Sequence, residues 1–283
     1  MPSDQFREKL HREFLDFFDN AEQNRRWNPL RDIPWERVNP ETPESLALCA
    51  ETFLGVEGFL PDYISGGLQV FRNASVAQRW FVANWGYEEL KHSMALQLYL
   101  IRSGKRTEEQ MADYQAELMK ERWEPPFSTA RRITIYGVFQ EMATFVIYLR
   151  QEKAAKKVGD EALAAVYRMN ARDEVAHARF YELVVRAYLE EDRDNTIADI
   201  AYVAANFKMP GVGIVPDYDA RIAVMRDAGQ IDRDLFLQKI YLPTLRRLGV
   251  ERSEITRVIS EQRKAERAAR RSAEMMSRAE PAE

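Results

Sequence analysis

The stretch Ile133–Leu149 (ITIYGVFQEMATFVIYL) is apolar apart from one charged side chain, Glu141. Its length corresponds to about five helical turns. A lone ionised carboxylate buried in such a helix costs on the order of several kcal/mol unless it is paired or bound to a metal. The stretch contains no Lys, Arg or His, so whatever neutralises Glu141 must come from another part of the fold. It is also shorter than the ~20 residues of a membrane span and carries its carboxylate in the middle, which argues for a buried helix and against a span.

The rest of the chain predicts helices. Glycines and prolines, twelve of each, cluster at boundaries, and no sustained period-two alternation marks strands. The pattern predicts a short helix over 5–23, then a Pro/Trp-rich loop. Thr42–Pro43 then reads as a cap and first-turn proline opening a helix that reaches about Phe71. Further helices are predicted over 75–103, 107–123, 128–159 and 160–190, with shorter ones near 196–206, 220–228 and 233–248. A charge-rich tail follows, with Arg263, Lys264, Arg267, Arg270 and Arg271. Four long helices joined short–long–short predict an all-α, ferritin-like four-helix bundle with one long crossover, plus flanking helices. The expected division is an N-terminal helix (1–26), the bundle (27–250) and a charged helical tail (251–283).

Composition removes several classes of function. A net charge of −4 offers no global field for nucleic acid, and the single cysteine, Cys49, rules out an intrachain disulfide and multi-cysteine metal sites. The N-terminus shows neither a secretory h-region nor a Ser/Arg-rich transit pattern, so the expectation is a cytoplasmic protein.

Each of the three histidines follows a glutamate by three residues: Glu8–His11, Glu89–His92 and Glu174–His177. The first lies in a charged terminal helix and reads as an ordinary surface pair. The other two lie inside long helices, and each is preceded by a second acid, Glu88 or Asp173. Glu89 and Glu174 are 85 residues apart, while Glu57, in the apolar FLGVEGFL, lies 84 before Glu141. The two halves thus read Glu57…Glu89-x-x-His92 and Glu141…Glu174-x-x-His177. Residues i and i+3 share a helix face, so each pair presents a carboxylate and an imidazole to one centre, and the lone Glu on a neighbouring helix completes the half. Four carboxylates balance two divalent ions, and an oxygen-rich set with one His per metal suits iron or manganese better than zinc. Glu51 competes with Glu57, but its 90-residue offset to Glu141 breaks the repeat. In this arrangement Asp173 accepts from the second N–H of His92, and Glu88 from that of His177; the alternative leaves both as surface acids. Pro61, four residues after Glu57, predicts a kink beside that ligand, either as room for a substrate or simply as a tolerated bend.

WNP at Trp27, FLPDY after Glu57, WGYEELKH ending at His92, FQEMATF around Glu141 and DEVAH ending at His177 resemble, in order, the soluble acyl-ACP desaturases. The resemblance covers roughly residues 27–248. It implies two iron ions per chain, bridged by Glu89 and Glu174, with Glu57 and His92 on one and Glu141 and His177 on the other. It implies O₂ as co-substrate, Thr144 beside the O₂ site, and an electron path through Trp27, Asp173 and His92. It further implies an acyl chain carried on acyl carrier protein, a ferredoxin-type donor and a homodimer. The sequence departs from the family at Ala176, where the family has a basic residue, and at Lys91, where it has arginine. Phe59, Leu60, Ile133, Tyr136 and Phe145 are candidates for a substrate channel, the alternative being plain core. Arg131–Arg132 or the basic tail are candidates for carrier docking, the alternative being solvated charge. Other readings are a different ferritin-like oxidase or oxygenase, an iron-storage protein, and a helical interaction protein. Leu96 stands four residues after His92, where a ribonucleotide-reductase-like subunit would carry its radical tyrosine.

Overall fold

The computed structural model describes residues 3–232, 234–261, 263 and 264, and no strand occurs among them. The helices are α1 (Asp4–Asn20), α2 (Glu44–Glu57), α3 (Leu60–Val70), α4 (Val76–Arg102), α5 (Glu108–Leu118), α6 (Ala130–Lys157), α7 (Glu161–Glu191), α8 (Arg193–Ala205), α9 (Tyr218–Asp227) and α10 (Leu242–Leu248). Residues 252–261 are also helical. The ferritin-like bundle consists of α2 with α3, α4, α6 and α7. α2 packs on α4 and α6, and α7 packs on α4 and α6, closing the square. The long crossover carries α5. No helix among the described residues is long and apolar enough to cross a membrane.

Local chemistry explains most of the boundaries. Ser75 accepts from the Gln78 amide while Gln78 reaches back to Ser75, a reciprocal cap that starts α4. Thr107 and Gln110 start α5 in the same way. Gly159 adopts φ 75°, which lets the chain reverse in three residues between α6 and α7. Asp160 then caps α7 through Leu163 N–H.

Five expectations are corrected. Thr42 does not cap α2: its hydroxyl donates to Asp160 at 2.7 Å, and Pro43 occupies the cap without a side-chain bond. The helix predicted to run to Phe71 is broken, not kinked. α2 stops at Glu57, and Pro61 sits in the first turn of α3, where its missing N–H leaves no bond unmade. The Tyr63 hydroxyl takes up the freed Val56 carbonyl at 2.6 Å. α5 ends at Leu118 rather than near Trp123, and α6 is capped by Thr129 rather than Ser128. The predicted helix over 233–248 is a π-helical stretch, Leu235–Tyr241, running into α10. Arg267, Arg270 and Arg271 lie outside the described residues.

α1 packs along α7 and α4 through buried Phe6, Leu10 and Phe14. Beyond Asn20 it widens into a π-helical turn, Ala21–Arg25, that delivers Trp27 to the bundle with only 5% of its surface exposed.

Candidate metal centre

Glu57, Glu89, His92, Glu141, Glu174 and His177 meet in the middle of the bundle, all buried. They form two groups, Glu57–Glu89–His92–Glu174 and Glu89–Glu141–Glu174–His177, and within each the donor atoms lie within 4.8 Å of one another. Glu89 and Glu174 belong to both. Each helix of the square thus contributes one carboxylate to the centre, and α4 and α7 each add an imidazole one turn further on.

The orientation of the donors separates a metal cradle from an ordinary polar network. His177 Nδ1 lies 3.0 Å from Glu89 Oε1 and 3.5 Å from Glu141 Oε2. Yet it makes no aligned hydrogen bond among the described residues. Glu89 Oε1, Glu141 Oε2 and both oxygens of Glu174 are likewise buried without a hydrogen-bond partner among them. Within the six, His92 Nδ1 pairs with Glu89 Oε2 at 3.0 Å, and the remaining lone pairs converge on shared points without a donor to meet them. Buried polar atoms left in that state are costly in a natural protein unless a ligand satisfies them, and the donor set fits two metal ions.

The outward faces of the ligands are held. His177 Nε2 lies 2.7 Å from Glu88, and His92 Nε2 lies 3.4 Å from Asp173, so each histidine faces an acid from the opposite half. Trp27 Nε1 donates to Asp173 at 2.7 Å, and its ring stacks near His92. Trp85 Nε1 donates to Glu141 at 3.0 Å, and the Tyr148 hydroxyl donates to Glu57 at 2.8 Å. Sequence reasoning missed Trp85 and Tyr148, together with Arg25 and Arg26, which reach Glu88 and Asp173. The one available signal was that Arg25–Arg26 directly precede Trp27.

The alternative ligand Glu51 is engaged elsewhere. It pairs with Arg106 at 2.6 Å and Arg221 at 2.7 Å, away from the centre. His11 is exposed, close to the Trp80 ring.

Protonation follows from this crowding. Burial and then the charge of Glu89 push Glu57 and Glu174 well above the usual carboxylate range. Burial works against Glu89 too, but the two imidazoles outweigh it and hold it low. Burial disfavours the charged form of His92, but Glu89 and then the nearby carboxylate of Asp173 raise it to about 10. His177 moves the same way, against burial, through Glu141, Glu88 and Glu89. Without cations the cluster collects protons where metal ions would otherwise balance its charge.

An apolar cavity opens beside this centre. Glu57 and Glu89 contribute to its wall together with Trp85, Val82, Ile133 and Tyr136. Among the other channel candidates, Phe59 packs with Val56, Leu118 and Val215, Leu60 is in the main core, and Phe145 is half-buried against that core. Thr144 is buried, and its hydroxyl donates to the Gln140 carbonyl at 3.1 Å. Arg131 and Arg132 are committed to Asp199 at 2.6 and 2.7 Å.

A bundle of this connectivity with two Glu-x-x-His pairs and two lone glutamates defines a ferritin-like dimetal protein. A model of the fatty acid desaturase family matches residues 47–279, and the chain belongs to that family. It is therefore an oxidoreductase. The chain is 23% identical over 256 residues to a Mycobacterium tuberculosis protein provisionally named acyl-[acyl-carrier-protein] desaturase DesA1, covering 81% of this chain and 73% of that one. It is 29% identical over 169 residues to the chloroplastic stearoyl-[acyl-carrier-protein] 9-desaturase of Elaeis guineensis var. tenera, covering 57% and 43%. In structure it is similar to a protein of M. tuberculosis H37Rv provisionally named acyl-ACP desaturase DesA2, with a TM-score of 0.65 at 18% identity over 90% of this chain and 99% of that one. An R2-like ligand-binding oxidase with a Mn/Fe cofactor shares the fold at a TM-score of 0.55 and 15% identity, over 89% and 93%.

Proposed function

We propose that the protein introduces a double bond into a fatty acyl chain carried on acyl carrier protein. The observation that carries this reading is the convergence of Glu57, Glu89, His92, Glu141, Glu174 and His177 beside an apolar cavity. In this reading Glu57, Glu89, His92 and Glu174 would hold one iron ion, and Glu89, Glu141, Glu174 and His177 would hold the other. Bound there, the pair supplies the O₂ activation needed to oxidise an unactivated alkyl chain. The overall reaction balances: two hydrogens leave adjacent methylenes, and O₂ with two electrons and two protons leaves as two waters. A ferredoxin-type protein is the electron donor, and Trp27, Asp173 and His92 form the route inward. Their continuity, 2.7 Å from indole to carboxylate and 3.4 Å on to imidazole, supports it.

The protein's own residues do the rest. Trp85 and Tyr148 aim the two terminal carboxylates, and Glu88 and Asp173 aim the imidazoles. The cavity walls hold methylenes near the ligands and keep water out, so that reaction partners meet in a fixed geometry. Ile133 and Tyr136 act there. Thr144, one turn from Glu141, serves the oxygen side. The same reading takes a homodimer as the assembly and the cytoplasm as the compartment.

The test is anaerobic loading with ferrous iron, then turnover with a panel of acyl carrier proteins, ferredoxin, a reductase and O₂, with products read by mass spectrometry. Loss of two hydrogens from one chain is expected. Insertion of oxygen without desaturation would favour a different ferritin-like oxidase, and no change in any chain by an iron-replete protein would overturn the reading. Sizing gives a dimer; a large hollow shell would point to storage.

A further inference from the structure

In the two matching stretches, Glu88–His92 and Asp173–His177, the acids and the histidine correspond, but the residue before the first histidine is Lys91 and the residue before the second is Ala176. Lys91 donates to Asp173, the acid facing His92, at 3.2 Å. By the internal repeat, a cation at 176 would serve Glu88, the acid facing His177. Ala176 cannot, and the cation arrives from outside the repeat. Arg26 donates to Glu88 at 2.8 Å. Arg25, buried, places one guanidinium nitrogen 3.1 Å from Asp173 and the other 3.3 Å from Glu88. The π-helical turn after α1 aims it there, Phe17 lies 5.0 Å beneath it, and Arg172 ties down its carbonyl at 2.6 Å. A planar fork with separate N–H groups can hold two carboxylates at fixed spacing, which an ammonium cannot.

We propose that Arg25 is a positioning residue that clamps the acceptors of both site histidines at once, and that Arg26 stands in for the cation absent at position 176. Each acid then has one cation of its own, Lys91 for Asp173 and Arg26 for Glu88, and the two acids share Arg25. The N-terminal segment thereby becomes part of the metal centre's support, which neither the ligand motifs nor the bundle itself requires. This inference rests on the two-metal reading of the site.

The test loads wild type, Arg25→Met, Arg26→Met and Lys91→Met anaerobically with Co(II), then titrates the ions off with a chelator. Metal per chain and the cobalt absorption bands are followed, and the metal-free forms are melted as folding controls. Arg26→Met and Lys91→Met each loosen one of the two ions by about 10- to 100-fold, and Arg25→Met loosens both. Adding Ala176→Lys to Arg26→Met restores retention, because Ala176 borders the same surface groove as Arg25 and corresponds in the repeat to Lys91, which reaches the acid of the opposite half. A purely structural role for the segment would not be rescued from α7. Should Arg25→Met fail to fold, Arg25→Lys keeps the charge without the fork and loosens one ion. Wild-type release by Arg25→Met or Arg25→Lys, or no rescue by Ala176→Lys, overturns the clamp. A wild type that never holds two ions overturns the two-metal reading and the clamp with it.

Discussion

The two halves of the centre offer the same three donors on very different supports. Glu141 sits inside α6, an unbroken helix of 28 residues that packs extensively on α7. Glu57 is the last residue of α2, where the chain breaks before Pro61 and restarts as α3. Trp85 on a neighbouring helix aims Glu141, while Tyr148 reaches across from α6 to hold Glu57. The cavity lies on the broken side, with Glu57 and Glu89 in its wall and Glu141 and Glu174 outside it. A continuous helix gives one half a fixed backbone, and a helix end gives the other half room. A repeated Glu and Glu-x-x-His motif need not produce a symmetric site, because the break in one helix decides which of the two candidate donor groups faces the cavity.

The largest effect separates shared from private ligands. Glu89→Ala or Glu174→Ala removes a residue common to both groups and abolishes both ions, with activity falling at least about 100-fold. Glu57→Ala or Glu141→Ala leaves one ion per chain by metal analysis. If all four variants keep two ions, the assignment of the halves fails.

Next comes pH. In the metal-free protein His92 is raised from an ordinary value of 6.5 to about 10. That shift contributes stability in full below 6.5 and loses it as pH rises through about 10. Metal must displace such protons to bind, so affinity rises with pH by up to about tenfold per unit for each proton released. Calorimetric Mn(II) titrations in buffers of different ionisation heat should show proton release at neutral pH; heats independent of buffer would contradict the protonation of the empty cluster.

Removing the holding bonds has a smaller effect. Tyr148→Phe frees Glu57 at the helix end, whereas Trp85→Phe frees a Glu141 still fixed by its helix. A lost hydrogen bond to a charged group is worth about 1.5–3 kcal/mol. Tyr148→Phe should therefore loosen its ion by more than Trp85→Phe does, and equal losses in a chelator titration would erase the contrast in rigidity.

The smallest change tests the cavity. A Cβ on Gly67 would meet only Val82, at 3.5 Å, so alanine fits without displacement. Inside α3 it should raise stability by about 0.5–1 kcal/mol while narrowing the cavity. The expected readout is a slightly higher melting temperature and a shift of turnover toward shorter acyl chains; unchanged chain preference would place the chain elsewhere.

Much of the bundle and of the candidate ligand set was legible because both depend on local spacing. Caps such as Ser75–Gln78 and Thr107–Gln110, the reversal at Gly159–Asp160 and the two Glu-x-x-His faces are written within a few residues of each other. Thr42 was misread because its hydroxyl had a distant choice, Asp160, which also accepts from Tyr99. Pro61 allowed either a kink or a restart, and the Tyr63 bond to the Val56 carbonyl belongs to the restart.

By itself the sequence determined which side chains share a helix face, because a helix repeats every 3.6 residues wherever it sits. It could therefore state that Glu141 needs partners and name a consistent set. Only the tertiary structure decided which distant groups meet: Glu51 with Arg106 and Arg221, Tyr148 with Glu57, Trp85 with Glu141, and Arg25 with both Asp173 and Glu88. Those pairings span dozens of residues and are fixed by how helices pack, and no local periodicity encodes that.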